Sequence, residues 1–109
     1  MAKPDTLQGS LDLLVLKVLS RRAPLHGYAI ISAIKEISGE VLRVEEGSLY
    51  PALHRLEQQG WISAEWKDSQ LGRPAKFYLL TREGKKQLER ELKSWERLSS
   101  AVHLLIENA

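Results

Sequence analysis

The sequence contains no cysteine, which excludes disulfides, thiolate metal sites and a cysteine nucleophile. It also lacks a long hydrophobic run. The most apolar stretch, residues 11–19, is interrupted by Asp12 and Lys17 and is too short to span a bilayer. The opening residues, Met1-Ala2-Lys3-Pro4-Asp5, place no apolar region behind a basic one, so no signal peptide is expected. A strong excess of one charge sign is missing too. The formal net charge is +2, and so slight a balance leaves the choice of partner to the placement of the charges. His26, His54 and His103 are scattered without metal-ligand spacing, which argues against a metal site. No Ser/His/Asp constellation, glycine-rich phosphate loop or carboxylate pair stands out, so neither an enzyme nor a cofactor is expected.

What remains is a chain of 109 residues, 43% hydrophobic and 28% charged, which suits one soluble domain with a modest core. A cytoplasmic protein with no membrane partner is the expectation. Leu7 through Leu19 reads as a first helix. Leu7, Leu11, Leu14, Val15 and Val18 share one face, and Leu13, Leu16 and Leu19 make a second strip. So wide an apolar surface needs cover on more than one side. Pro24 ends this segment. A second helix is expected from about Gly27 to Ile37, with Tyr28, Ile31, Ile34 and Lys35 in register and Ile30 and Ile37 widening the buried face; Ser38-Gly39 stops it. Val41 to Val44 is expected to be a short bridge with one or two strand residues.

A third helix covers approximately Glu46 to Gln59 and ends at Gly60, with Leu49, Leu53 and Leu56 as its inward stripe. Two starts are compatible with the residues. Ser48 as N-cap would put Pro51 in the first turn, whereas a start near Glu45 would place it deeper. Trp61 to Lys67 and Ala75 to Leu80 then alternate with a period of two around a turn-forming stretch, Asp68 to Pro74, and predict a β-hairpin with a polar, partly basic tip. Thr81 caps a fourth helix running to about Glu107, with a seam of Leu88, Leu92, Trp95, Leu98, Val102, Leu105 and Ile106. A seam of that length needs a partner.

Three helices followed by a hairpin is the element order of a winged helix, with helices two and three as the helix-turn-helix and the hairpin as the wing. A helix fits the major groove of duplex DNA, and a basic loop can follow the backbone or enter the minor groove. Helix three exposes Ser48, Tyr50, His54 and Arg55, and the wing carries Lys67, Arg73 and Lys76. Each residue has a plainer alternative. Ser48 can be a cap or reach phosphate, and Pro51 shapes the helix start or touches the backbone. Arg55 can pair with Glu57 or Glu45 instead of phosphate.

The runs Leu25-His26-Gly27-Tyr28-Ala29-Ile30, Glu46 through Leu53 and Lys76-Phe77-Tyr78-Leu79-Leu80-Thr81 resemble signature stretches of the PadR-like regulators. Arg55-Leu56-Glu57, Gly60-Trp61-Ile62, Gly72-Arg73-Pro74 and Gly84 agree in order and spacing, so the likeness spans roughly Leu7 to Trp95. Glu45 departs from the family pattern, which often has a small polar residue there. The single C-terminal helix resembles the short subgroup, in which the first and last helices build the dimer.

The resemblance implies a mainly α fold with a small β-hairpin: a winged helix-turn-helix over residues 1–80 and a long dimerisation helix over residues 81–109, forming one structural unit. It implies a homodimer on double-stranded DNA, reading a pseudo-palindromic operator through Ser48, Tyr50, Pro51, His54, Arg55, Arg73 and Lys76, most simply as a repressor. Leu14, Val15, Val18, Leu88, Leu92, Trp95, Leu98 and Val102 are the expected dimer face. Trp95 is either a packing residue there or one wall of a slot for a planar aromatic molecule whose entry releases the DNA. The competing reading is a winged-helix protein-interaction module that does not read DNA.

Overall fold

A computed structural model describes residues 7–108, with side chains from residue 10 onward; the Leu7 side chain and both chain ends lie outside the described residues. The elements follow in the order α1 (Leu7–Arg22), β1 (Leu25–His26), α2 (Gly27–Ile37), α3 (Glu46–Gln58), β2 (Ile62–Asp68), β3 (Pro74–Leu80) and α4 (Arg82–Asn108). The first helix runs three residues past Leu19. Arg21 and Arg22 close its last turn, where cations suit the negative end of the helix dipole, and Pro24 bars continuation.

Helices α1, α2 and α3 meet around one core. Val15, Leu16 and Leu19 from α1 pack with Ile30 and Ile34 from α2 and with Leu49, Leu53 and Leu56 from α3; Ile62, Tyr78 and Leu88 close the core from the hairpin and α4. The leucine stripe of α3 is thus buried as its spacing predicts. The second helix has the expected bounds and buries Ile30 and Ile34 as expected, but Tyr28 and Ile37 do not join them. Ile30, Ala33 and Ile34 are buried, whereas Tyr28 is 64% exposed and Ile37 half exposed. Gly39, at φ 64°, turns the chain after the Ser38 C-cap in the left-handed region that glycine enters without cost.

Residues 41–45 form no strand. The third strand of the sheet lies elsewhere, at Leu25–His26, and the sheet order is β1-β3-β2, all antiparallel. Leu25 pairs with Tyr78 and His26 with Phe77, while β2 and β3 pair from Ile62–Leu80 out to Asp68–Pro74. Helix α4 starts where Thr81 Oγ1 accepts from Gly84 N at 3.0 Å and donates to the Gly60 carbonyl at 2.7 Å. That serine-like cap also ties the helix to the end of α3. The α4 helix packs along α1 through Leu88 and Leu92 and then leaves the domain; every residue from Ser100 to Asn108 is exposed.

Candidate nucleic-acid interface

The third helix starts at Glu46, with Glu45 as an extended N-cap residue whose side chain makes no capping bond. Ser48 is therefore inside the first turn and is not the N-cap. Pro51 falls at the sixth helical position, where its missing N–H would have bonded the Gly47 carbonyl. Both residues are exposed, so that carbonyl is open to solvent and need not stay unpaired inside the fold. The outward face consists of Gly47, Ser48, Tyr50, Pro51, His54 and Gln58, all exposed, opposite Leu49, Ala52, Leu53 and Leu56.

Tyr50 is 46% exposed and leans over Gly27, the first residue of α2. A Cβ at Gly27 would stand 2.7 Å from the Tyr50 hydroxyl and 2.9 Å from two of its ring carbons, so glycine is what admits this approach. The N-terminus of α2 is organised by His26, whose Nδ1 accepts from Ala29 N at 3.1 Å. Its ring meets Phe77 of the hairpin edge-on, with centroids 5.3 Å apart. Together these contacts set a cleft of about 360 Å³ between the start of α2, the outer face of α3 and the hairpin, lined among others by Tyr28, Tyr50, Ser69, Leu71 and Lys76. A sequence reading that assigned Tyr28 to the buried register missed its place here.

The two basic residues closest to this face are engaged within the chain. Arg55 Nη2 donates to Asp12 Oδ1 at 2.6 Å, linking α3 to α1 rather than pairing with Glu57 or Glu45. Lys76 Nζ donates to Glu57 Oε1 at 2.9 Å, linking the hairpin to α3. The Glu57 hydrogen bond holds the Lys76 ammonium above its ordinary pKa, and burial raises that of the Tyr78 phenol beneath it. At the hairpin tip, Arg73 is exposed and makes no ion pair among the described residues, and Leu71 beside it is 88% exposed. Lys67 lies on the hairpin with Glu65 at 3.1 Å.

The expected dimer-face residues divide. Val15, Val18 and Leu88 are consumed by the protomer's own core and have almost no surface for a partner. Leu14 and Val18 border an apolar groove of about 330 Å³ between α1, α2 and the loop after it. Leu92 and Leu98 are half-buried, Trp95 is 47% exposed, and Val102, Leu105 and Ile106 face outward. Among the described residues no group of His, Asp or Glu could hold a metal, and no helix is long and apolar enough to cross a membrane.

A transcriptional regulator from Clostridium thermocellum has the same fold, with a TM-score of 0.81 and 26% identity over 91% of this chain and 95% of that one. A PadR family transcriptional regulator from Eggerthella lenta superposes with a TM-score of 0.79 at 34% identity, covering 94% of this chain and 88% of its own. In sequence, a 37.1 kDa protein in a transposon of Streptomyces fradiae is 46% identical over 84% of this chain but only 24% of its own length. Residues 15–90 match the model of the transcriptional regulator PadR-like family, which takes in all of α2, α3 and the hairpin. With its winged helix in place and most of its length matched, the chain belongs to the PadR-like family of DNA-binding transcriptional regulators and not to a family of enzymes.

Proposed function

We propose that the chain acts as a homodimeric repressor that reads a pseudo-palindromic operator, each protomer laying α3 in the major groove and its hairpin tip along the adjacent backbone. The observation that carries this reading is the cleft that joins Tyr50 on α3 to Ser69, Leu71 and Lys76 on the hairpin, with Ser48, His54 and Arg73 exposed on the same two elements and Tyr50 packed over Gly27. Ser48, Tyr50, Pro51 and His54 reach base edges and sugars, while Arg73 supplies a phosphate contact. Residues 1–80 do the reading and residues 81–109 the pairing.

Pairing is supported by the outer part of α4. A helix of 27 residues, about 40 Å long, carries an apolar seam of Leu92, Trp95, Leu98, Val102, Leu105 and Ile106 that its own domain covers only at the start. A second copy of the same seam across a two-fold axis would bury it. Trp95 then approaches its mate, and two rings standing apart would leave an apolar slot for a planar aromatic molecule. Such a molecule would release the DNA as far as it prefers one dimer state over the other.

Selection from random duplexes tests the proposal. The expected product is an inverted repeat with half-sites about 10 bp apart or a multiple of that spacing. Recovery of asymmetric sequences would refute two-fold reading, and recovery of none would favour a protein-interaction module.

A further inference from the structure

The reading face has few cations of its own to spend on phosphate. Arg55 stands one helical turn after Pro51, and Lys76 lines the cleft shared by Tyr28 and Tyr50, yet each is held by a carboxylate from another element. Both bonds are short, at 2.6 and 2.9 Å, and the Asp12 carboxylate is only 15% exposed. The remaining charges at the start of α3 are Glu45 and Glu46, which repel phosphate. The carboxylates cancel two of the positive charges that could otherwise hold any duplex regardless of sequence.

We infer that Asp12 and Glu57 are specificity-determining residues for DNA: they compete with phosphate for Arg55 and Lys76, and so hold down the affinity for random duplex. The inference rests on the DNA reading of α3. A loosely held non-specific complex draws nearly all its free energy from phosphate contacts and counterion release. For Arg55 or Lys76 to join such a contact, its ion pair must open and leave a partly buried carboxylate beside a phosphate. In the operator complex, base contacts by Ser48, Tyr50 and His54 fix the pose of α3, and a freed long side chain adds proportionately less. Neutral but isosteric partners should therefore raise random binding more than operator binding. Glu36, which lies 3.7 Å from Arg22, provides the comparison. It is nine residues along α2 from Gly27, about 13 Å from the Tyr50 contact.

The experiment measures affinity for the selected operator and for random duplex across a salt series, using the full chain and its Asp12→Asn, Glu57→Gln and Glu36→Gln variants, with thermal melts alongside. Asp12→Asn and Glu57→Gln should each strengthen random binding roughly fivefold to tenfold at 0.1 M salt and steepen the salt slope by about 1. Operator affinity should rise less, so that the ratio between the two narrows. Glu36→Gln should change random binding by less than about twofold, since a surface charge more than a Debye length away is largely screened. Unchanged or weaker random binding with the melting temperature retained overturns the inference. So does an equal rise for operator and random duplex, or an equal rise in Glu36→Gln. A wild-type chain that binds no duplex would instead sink the DNA reading itself, which separates the two failures.

Discussion

The junction between α4 and the hairpin offers a sharp test, because two well-known effects there oppose each other. Gly84 lies in the first turn of α4 and is buried. Alanine is favoured over glycine in a helix by about 1 kcal/mol, so on propensity alone Gly84→Ala should stabilise the protein. The added Cβ, however, would press into the Trp61 carbonyl oxygen, with the Trp61 carbonyl carbon at 2.9 Å and Leu80 Cδ1 at 2.7 Å. A backbone carbonyl cannot rotate away as a side chain can, and this one already accepts from Thr81 N at 3.1 Å. The helix must shift instead, which disturbs the seating of Leu88 and Leu92 on the core. Overpacking of this kind costs about 1–3 kcal/mol, and an immovable neighbour puts the site at the upper end. The balance is a net loss of about 2 kcal/mol, or roughly 10 °C in melting temperature for a chain this size. Thermal melts followed by circular dichroism read it, with Lys85→Ala as an exposed neighbour that reports propensity alone. A Gly84→Ala protein melting at or above the wild-type temperature would refute the packing argument.

Thr81→Val removes both bonds of the α4 cap at nearly constant volume and should lower stability by about 1–2 kcal/mol, seen as a lower urea midpoint with an unchanged slope. Gly27→Ala should swing the half-exposed Tyr50 ring outward and, like Tyr50→Ala, should narrow the operator-to-random affinity ratio in competition binding; a wild-type ratio would show that the Tyr50 pose is immaterial. Arg73→Ala should weaken all duplexes alike and lower the salt slope by about 1, and an unchanged slope would mean that the hairpin tip faces away from DNA. Leu98→Asp should turn the proposed dimer into monomer in sedimentation, because it sets a charge in an apolar seam; a wild-type monomer at micromolar concentration would refute the pairing.

Helix positions and the hairpin follow from periodicity because each is a local property. Leu49, Leu53 and Leu56 recur on one face, and Ile62, Ala64 and Trp66 alternate, so a few residues suffice to type the element. The features that escaped depend on distant partners. Two residues, Leu25 and His26, have no period to detect, and they become a strand only because Phe77 and Tyr78 lie fifty residues on. Arg55 finds Asp12 at a separation of 43 residues, while the nearer Glu57 is taken by Lys76. The start of α3 was ambiguous for a different reason. Local rules count Pro51 as costly inside a helix, and that cost depends on whether water can reach the Gly47 carbonyl.

The short strand β1 also divides the hairpin mechanically. At Phe77 and Tyr78, β3 has a neighbour on both sides; from Lys76 outward to the tip it has only β2. The hairpin is therefore a rigid root bearing a two-stranded tongue, and isolated two-stranded ribbons are marginal in water. Bending is expected to concentrate at the step between Phe77 and Lys76, where the third strand ends and Glu57 clasps the ribbon to α3. On the proposed reading, the tongue that bears Leu71 and Arg73 would thus follow grooves of different width without moving α3.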